Sequence, residues 1–280
     1  MNIKPWVNQP PEDPAARPAT PAAAVEHLLA GNGRVRAAAE CACDGELYPA
    51  ALPKQQPFGV VLGCSDARAP LELVFDAAPN QLFVVRVAGN VLGDECLGSI
   101  EYALANFQDS VRLLVVMGHT GCGAVAAAVQ TYLSPKHAAG IAFSRSLRSV
   151  VNHILVAVRS AALSLEQAWG GDVLEDPGMP AALAELAVPL NAAMTAYQLR
   201  LELERLDAAA RPEVVYCVYD LLSSRVVGPP DLASVALTPA PKDPAELVEL
   251  GLQFARSAAV TRHLNLIRGP FADAPAPTPS

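Results

Sequence analysis

The chain has 280 residues, 52% hydrophobic and 17% charged, which is enough apolar material for one or two packed domains and excludes a mainly disordered protein. Its 20 Lys and Arg against 28 Asp and Glu leave a formal net charge of −8, the wrong sign for a phosphate-binding surface, so nucleic acid is not an expected partner. Six cysteines fall far below the density of a disulfide-stapled secreted domain and no apolar signal segment follows the N-terminus, so the expected location is cytoplasmic.

Pro5, Pro10, Pro11, Pro14, Pro18 and Pro21 preclude regular structure over residues 1–21, because each proline fixes φ and removes a donor; this is expected to be an extended or disordered arm. Over residues 22–39 the apolar positions Val25, Leu28, Leu29 and Val35 recur at helical spacing. Gly31-Asn32-Gly33 interrupts them, which predicts a helix broken in the middle.

Three β-branched runs without polar alternation follow, Phe58–Leu62, Leu82–Val87 and Val111–Met117, and these are expected to be buried strands. Crossover helices are expected near Leu71–Asp76 and Cys96–Gln108, a spacing that implies parallel pairing. No Asp, Glu, Lys or Arg occurs between Leu113 and Pro135. Its length alone would suit a membrane span. The middle is a Gly-rich turn carrying His119, Thr120 and Cys122, so a membrane role is set aside.

Further on, helical regions are read over Leu147–Ala168 and Ala181–Leu206, and a fourth buried strand over Val214–Tyr219. Residues 228–244 collect prolines and read as a linker. The stretch Ala245–Ile267 reads as an amphipathic docking helix, followed by a disordered tail after Pro270. The fold class is therefore α/β: a mainly parallel central sheet flanked by helices, with an N-terminal helical arm and a C-terminal helical extension. The expected divisions are 1–21, 22–227 and 228–280.

In parallel α/β sheets ligands bind at the loops leaving the carboxyl ends of the strands. The first strand runs into Gly63-Cys64-Ser65-Asp66-Ala67-Arg68 and the third into Gly118-His119-Thr120-Gly121-Cys122-Gly123. His119 and Cys122 can converge on one point, and Cys64 joins them if the two strands are neighbours. A Cys₂His set suits zinc and leaves a tetrahedral ion one open position, the mark of a catalytic site. Read alone, each cysteine could equally be a small buried hydrophobe. Asp66 and Arg68 change the balance, since a bidentate pair keeps the carboxylate ionised with an oxygen free to accept a hydrogen bond.

These two loops, with Phe83-Val84-Val85-Arg86-Val87-Ala88-Gly89-Asn90 and Leu97-Gly98-Ser99-Ile100-Glu101-Tyr102, resemble the β-class carbonic anhydrases in order and spacing. Weaker similarity extends from Leu28 to Leu221. The resemblance implies Zn²⁺ on Cys64, His119 and Cys122, with Asp66 and Arg68 as the catalytic dyad. It also implies that Asp66 can switch between zinc ligand and hydrogen-bond acceptor. Gln55, Phe83 and Tyr102 match pocket residues, and a homodimer or an assembly of dimers is implied, embraced by N-terminal helices. The implied reaction is hydration of carbon dioxide to bicarbonate and a proton. Two other readings stay open on the same scaffold: hydrolysis of carbonyl sulfide or carbon disulfide, and a catalytically silent zinc module closed by the C-terminal extension. Ala67 stands where the family usually has serine, and residues 228–280 exceed the length of many members.

Overall fold

The computed structural model describes residues 18, 20–42, 54–205, 211–228 and 236–265, with backbone only for 35–42. Most of the Pro-rich arm and the whole tail after Pro270 lie outside the described residues. The chain divides into two compact units between Gln55 and Gln56.

The first unit contains α1 (Pro21–Ala42), which runs without interruption through Gly31-Asn32-Gly33. This corrects the expected break. Glycine inside a helix costs about 1 kcal/mol relative to alanine but removes no backbone donor, and the alanine-rich flanks absorb that cost.

The second unit is built on a sheet. Its strands β1 (Gly59–Gly63), β2 (Leu82–Arg86), β3 (Leu113–His119) and β4 (Glu213–Asp220) are joined through α2 (Leu71–Val74), α3 (Asp94–Phe107), α4 (Gly123–Leu133), α5 (Pro135–Ala142), α6 (Arg145–Trp169) and α7 (Met179–Glu202). The order is β2-β1-β3-β4, all parallel, and two short antiparallel strands, β5 (Arg225–Val227) and β6 (Thr238–Pro239), pair with β4. The last helices among the described residues are α8 (Pro244–Ala255) and α9 (Ala258–Thr261).

Successive strand residues point to opposite faces, and the register sorts the core accordingly. Val60, Leu62, Leu114, Val116, Val214 and Tyr216 pack on one face with side chains of α3 and α7. Val61, Val115, Met117, Val215 and Cys217 pack on the other with Leu71 of α2. Burial of both faces explains why these strands read as unbroken apolar runs. A further core cluster joins α4, α6, α7, α8 and α9.

Two helices absent from the sequence reading are α4 and α5. The sequence of α4, Gly-Ala-Val-Ala-Ala-Ala-Val-Gln-Thr-Tyr-Leu, has little amphipathic contrast, because its outward positions carry glycine, alanine, tyrosine and leucine and no charged residue, although only Val125, Ala128 and Val129 are buried. The docking helix expected over Ala245–Ile267 is two helices, since residues 256–257 leave the helical path after α8. Pro189, inside α7, does not end that helix. Among the described residues, no helix is long and apolar enough to cross a membrane.

Candidate metal centre

The sheet order makes β1 and β3 direct neighbours, with Gly63 opposite Met117, so both strands deliver their terminal loops to the same edge. Cys64 follows β1, His119 ends β3, and Cys122 stands at the N-cap of α4. All three are buried, and their ligand atoms lie within 4.8 Å of one another. The Cys64 and Cys122 sulfurs are 3.9 Å apart.

His119 has a fixed orientation. Its Nδ1 lies 3.0 Å from the Thr120 carbonyl oxygen, and only a donor is favourable there, so the proton belongs on Nδ1 and the lone pair on Nε2. Nε2 has no hydrogen-bond partner although the side chain is 1% exposed. An orphaned buried acceptor facing two thiols is costly as a purely structural arrangement. It is well explained as a ligand set. Tetrahedral coordination with metal–sulfur bonds near 2.3 Å places two sulfurs about 3.8 Å apart, close to the spacing found. The donor types and the sulfur spacing therefore fit a tetrahedral ion of zinc's chemistry.

Charge at the site agrees. The hydrogen bond from Cys122 holds the Cys64 thiol well below the usual thiol range against the cost of burial, and the Gly89 N–H assists. The same contact, together with burial, pushes Cys122 up, so the pair shares one proton and presents one thiolate, the form that binds metal.

Beside the donors, Asp66 accepts from the Arg68 backbone N–H (2.8 Å) and from Nε (3.0 Å) on Oδ1, and from Nη2 (2.6 Å) on Oδ2. This guanidinium holds the Asp66 carboxyl well below the usual carboxylate range. Its Oδ2 is 3.7 Å from His119 Nε2. The Asp66–Arg68 pair is thus formed, and Arg68 is 62% exposed.

Several supporting residues carried no role in the sequence reading. The Arg86 guanidinium donates to the carbonyls of Cys64 (3.0 Å), Asp66 (2.7 Å) and Ala69 (3.3 Å), which staples the loop that contains Ala67. The Gly89 N–H donates to Cys64 Sγ at 3.3 Å, while buried Asn191 of α7 donates to the Gly89 carbonyl at 2.8 Å. Gly89 has φ of 70°, and an added Cβ would come within 2.6 Å of Ile154, so only glycine fits. Thr120 is anchored in turn by its hydroxyl, which donates to Asp220 at 3.1 Å. Arg86 and Gly89 lie inside the Phe83–Asn90 segment that carries the family resemblance. Asn191 lies 102 residues from Gly89, with no local signal to reveal it.

The remaining expected residues stand apart. Phe83 pairs in register with Val60, four residues before Cys64, and stacks with Tyr102 and Phe107 at centroid distances of 6.4 and 6.1 Å. The structure brings these aromatics to one another and not to the donor set of the same chain. Gln55 is exposed and belongs to the first unit.

Fold and donor set together define the class: a parallel α/β protein with a Cys₂His metal-binding set at the ends of adjacent strands. A family model described as carbonic anhydrase matches residues 59–226, more than half of the chain, which therefore belongs to the carbonic anhydrase family, in its β class. Carbonic anhydrase 2 of Mycobacterium tuberculosis is 48% identical over 75 residues, 27% of this chain and 35% of that protein. The matched segment thus spans about a third of that relative's length. A β-carbonic anhydrase of Aspergillus fumigatus shares the fold with a TM-score of 0.55 at 23% identity, covering 81% of this chain and 96% of that one. A structure described as one of two tetrameric β-carbonic anhydrases from Sordaria macrospora gives 0.51 at 21% identity over 72% and 94%.

Proposed function

We propose that this chain catalyses the reversible hydration of carbon dioxide to bicarbonate and a proton, with Zn²⁺ held by Cys64, His119 and Cys122. The observation that carries this reading is the convergence of three ligand atoms beside a carboxylate already locked by Arg68. Zinc held there supplies Lewis acidity, which brings the ionisation of water from a pKa of about 15.7 to near 7.

The chain's own groups do the positioning. Asp66 is ionised throughout the neutral range, so it accepts a hydrogen bond and does not take up the proton. An acceptor at Oδ2 admits an O–H donor and orients the remaining oxygen lone pair toward the carbon of the substrate. Arg68 fixes both carboxylate oxygens, and Arg86 holds the loop that carries them.

The reading extends to a zinc domain over residues 22–227 with 228–280 as a C-terminal extension, a cytoplasmic location, and a homodimer or assembly of dimers. The tetrameric Sordaria relative supports assembly. A dimer would give Phe83, Tyr102 and Gln55 a place in the pocket, since the single chain does not bring the two aromatics to the donors. Sedimentation at two protein concentrations tests this. A monomer at both would remove the assembly and the pocket assignment together.

The activity is tested by stopped-flow hydration of carbon dioxide with a pH indicator, using zinc-loaded protein at about pH 8.5. Rapid hydration that is lost in Asp66→Asn is the expected result. Full zinc occupancy without hydration would refute the proposal.

A further inference from the structure

His119 ends β3 and Cys122 caps α4, so the two residues between them, Thr120 and Gly121, set how both donors are presented. Packing does not hold this turn. Gly121 has φ of 65°, and a Cβ built on it would meet nothing within 4 Å; Arg68 Nη2 reaches its carbonyl only at 3.5 Å.

Thr120 is fixed instead by hydrogen bonds to the neighbouring strand. The parallel pairing of β3 and β4 runs up to His119 opposite Tyr219, and the Thr120 N–H donates to the Tyr219 carbonyl at 3.0 Å. Beyond that point the Thr120 hydroxyl continues the attachment. It accepts from the Leu221 N–H at 3.0 Å and donates to Asp220 Oδ1 at 3.1 Å. Asp220 is itself held in the turn between β4 and β5: Oδ1 also accepts from the Leu222 N–H at 3.3 Å, and Oδ2 accepts from the Ser223 N–H at 3.2 Å and its hydroxyl at 2.5 Å. The Thr120 carbonyl then accepts from His119 Nδ1 at 3.0 Å. With the N–H and hydroxyl of Thr120 both tied to β4, this carbonyl keeps one direction, and Nε2 is left as the free ring nitrogen.

We infer that Asp220 is a positioning residue of the metal centre, which acts through the Thr120 hydroxyl to fix the carbonyl that orients His119 and the turn that leads to Cys122. This rests on the metal reading proposed above. The contacts to Leu222 and Ser223 suffice to cap the β4–β5 turn. The Thr120 contact lies outside that turn, 100 residues away in sequence, and it alone connects Asp220 to the donor loop.

The test measures zinc affinity of the full chain by competition with a chelator at about pH 7.5, beside the thermal melt of each variant. Thr120→Val and Asp220→Ala are expected to weaken zinc binding about tenfold or more. Thr120→Ser and Asp220→Asn keep the hydroxyl and the Oδ1 acceptor, and each should restore most of the loss. Ser223→Ala is the structural control, since it takes a hydrogen bond from Asp220 without touching Thr120; it should lower the melt and leave zinc affinity unchanged. The visible spectrum of the cobalt(II)-loaded chain follows donor geometry, so its bands should shift in Thr120→Val and return in Thr120→Ser. If Asp220→Ala does not fold, the two Thr120 variants carry the test. Unchanged affinity in Thr120→Val, a loss that Thr120→Ser does not recover, or an equal loss in Ser223→Ala would each overturn the positioning role while leaving the metal reading intact. A wild-type chain that binds neither zinc nor cobalt would overturn the metal reading, and this inference with it.

Discussion

Asp66 accepts three hydrogen bonds from Arg68, and this geometry separates two possible roles for a carboxylate beside a metal. A base must titrate near the working pH, whereas an acceptor must not. Asp66→Asn is therefore expected to lower kcat by about a hundredfold while leaving the midpoint of the pH–rate profile between about pH 6 and 9 unchanged. A shifted midpoint would make Asp66 a base after all. Asn191 illustrates the layer behind the ligands, because its amide holds the Gly89 carbonyl and Gly89 in turn donates to Cys64. Asn191→Ala should cost about 1–3 kcal/mol of stability through an unpaired buried carbonyl. It should also weaken zinc binding about 10–100-fold, measured by competition with a chelator.

At the level of elements, the loop before α7 shows how closely the C-terminal stretch is fitted to the rest of the fold. A Cβ on Gly178 would fall 1.7 Å from the His263 carbonyl oxygen, an overlap that backbone movement alone can relieve. Gly178→Ala is expected to destabilise the protein by about 3 kcal/mol, read as a lower midpoint in urea. An unchanged midpoint would mean that the contact is dispensable. The elements that were legible in the sequence are those whose burial leaves a simple pattern: the β-branched runs of β1, β3 and β4, and α6 with its apolar stripe of Val151, Ile154, Val158, Ala161 and Leu165. Helix α4 was not legible, since its solvent side is built of small and apolar residues and offers no charged face to set its period.

For the whole molecule, α8 and α9 belong to the same core cluster as α4, α6 and α7, with Phe254 and Leu264 fully buried. Deleting residues 244–280 should therefore abolish the cooperative thermal melt. A truncated chain that melts normally and gains activity would revive the alternative in which the extension closes the site. Acid stability has a defined sign at Asp220. Burial raises its carboxyl, but hydrogen bonds from Ser223, Leu222 and Thr120 outweigh that and leave it below its ordinary value. The unfolded chain then binds the extra proton, so this contribution is complete above about pH 5 and is lost as pH falls below about 4. Asp220→Asn should flatten the acid limb of a stability–pH curve, and an unaltered limb would count against the assignment. The sequence by itself determined the parallel α/β class, the strand-end loops and the Cys-His-Cys set proposed to hold the metal, because each is encoded in runs of adjacent residues whose burial or chemistry is local. Tertiary structure alone decided that β1 and β3 lie side by side, that Asn191 supports Cys64 through Gly89, and that Phe83 and Tyr102 stand away from the donors of their own chain. Each of these depends on which distant segments pack together, and contacts between segments leave no periodic or spacing signal in either one.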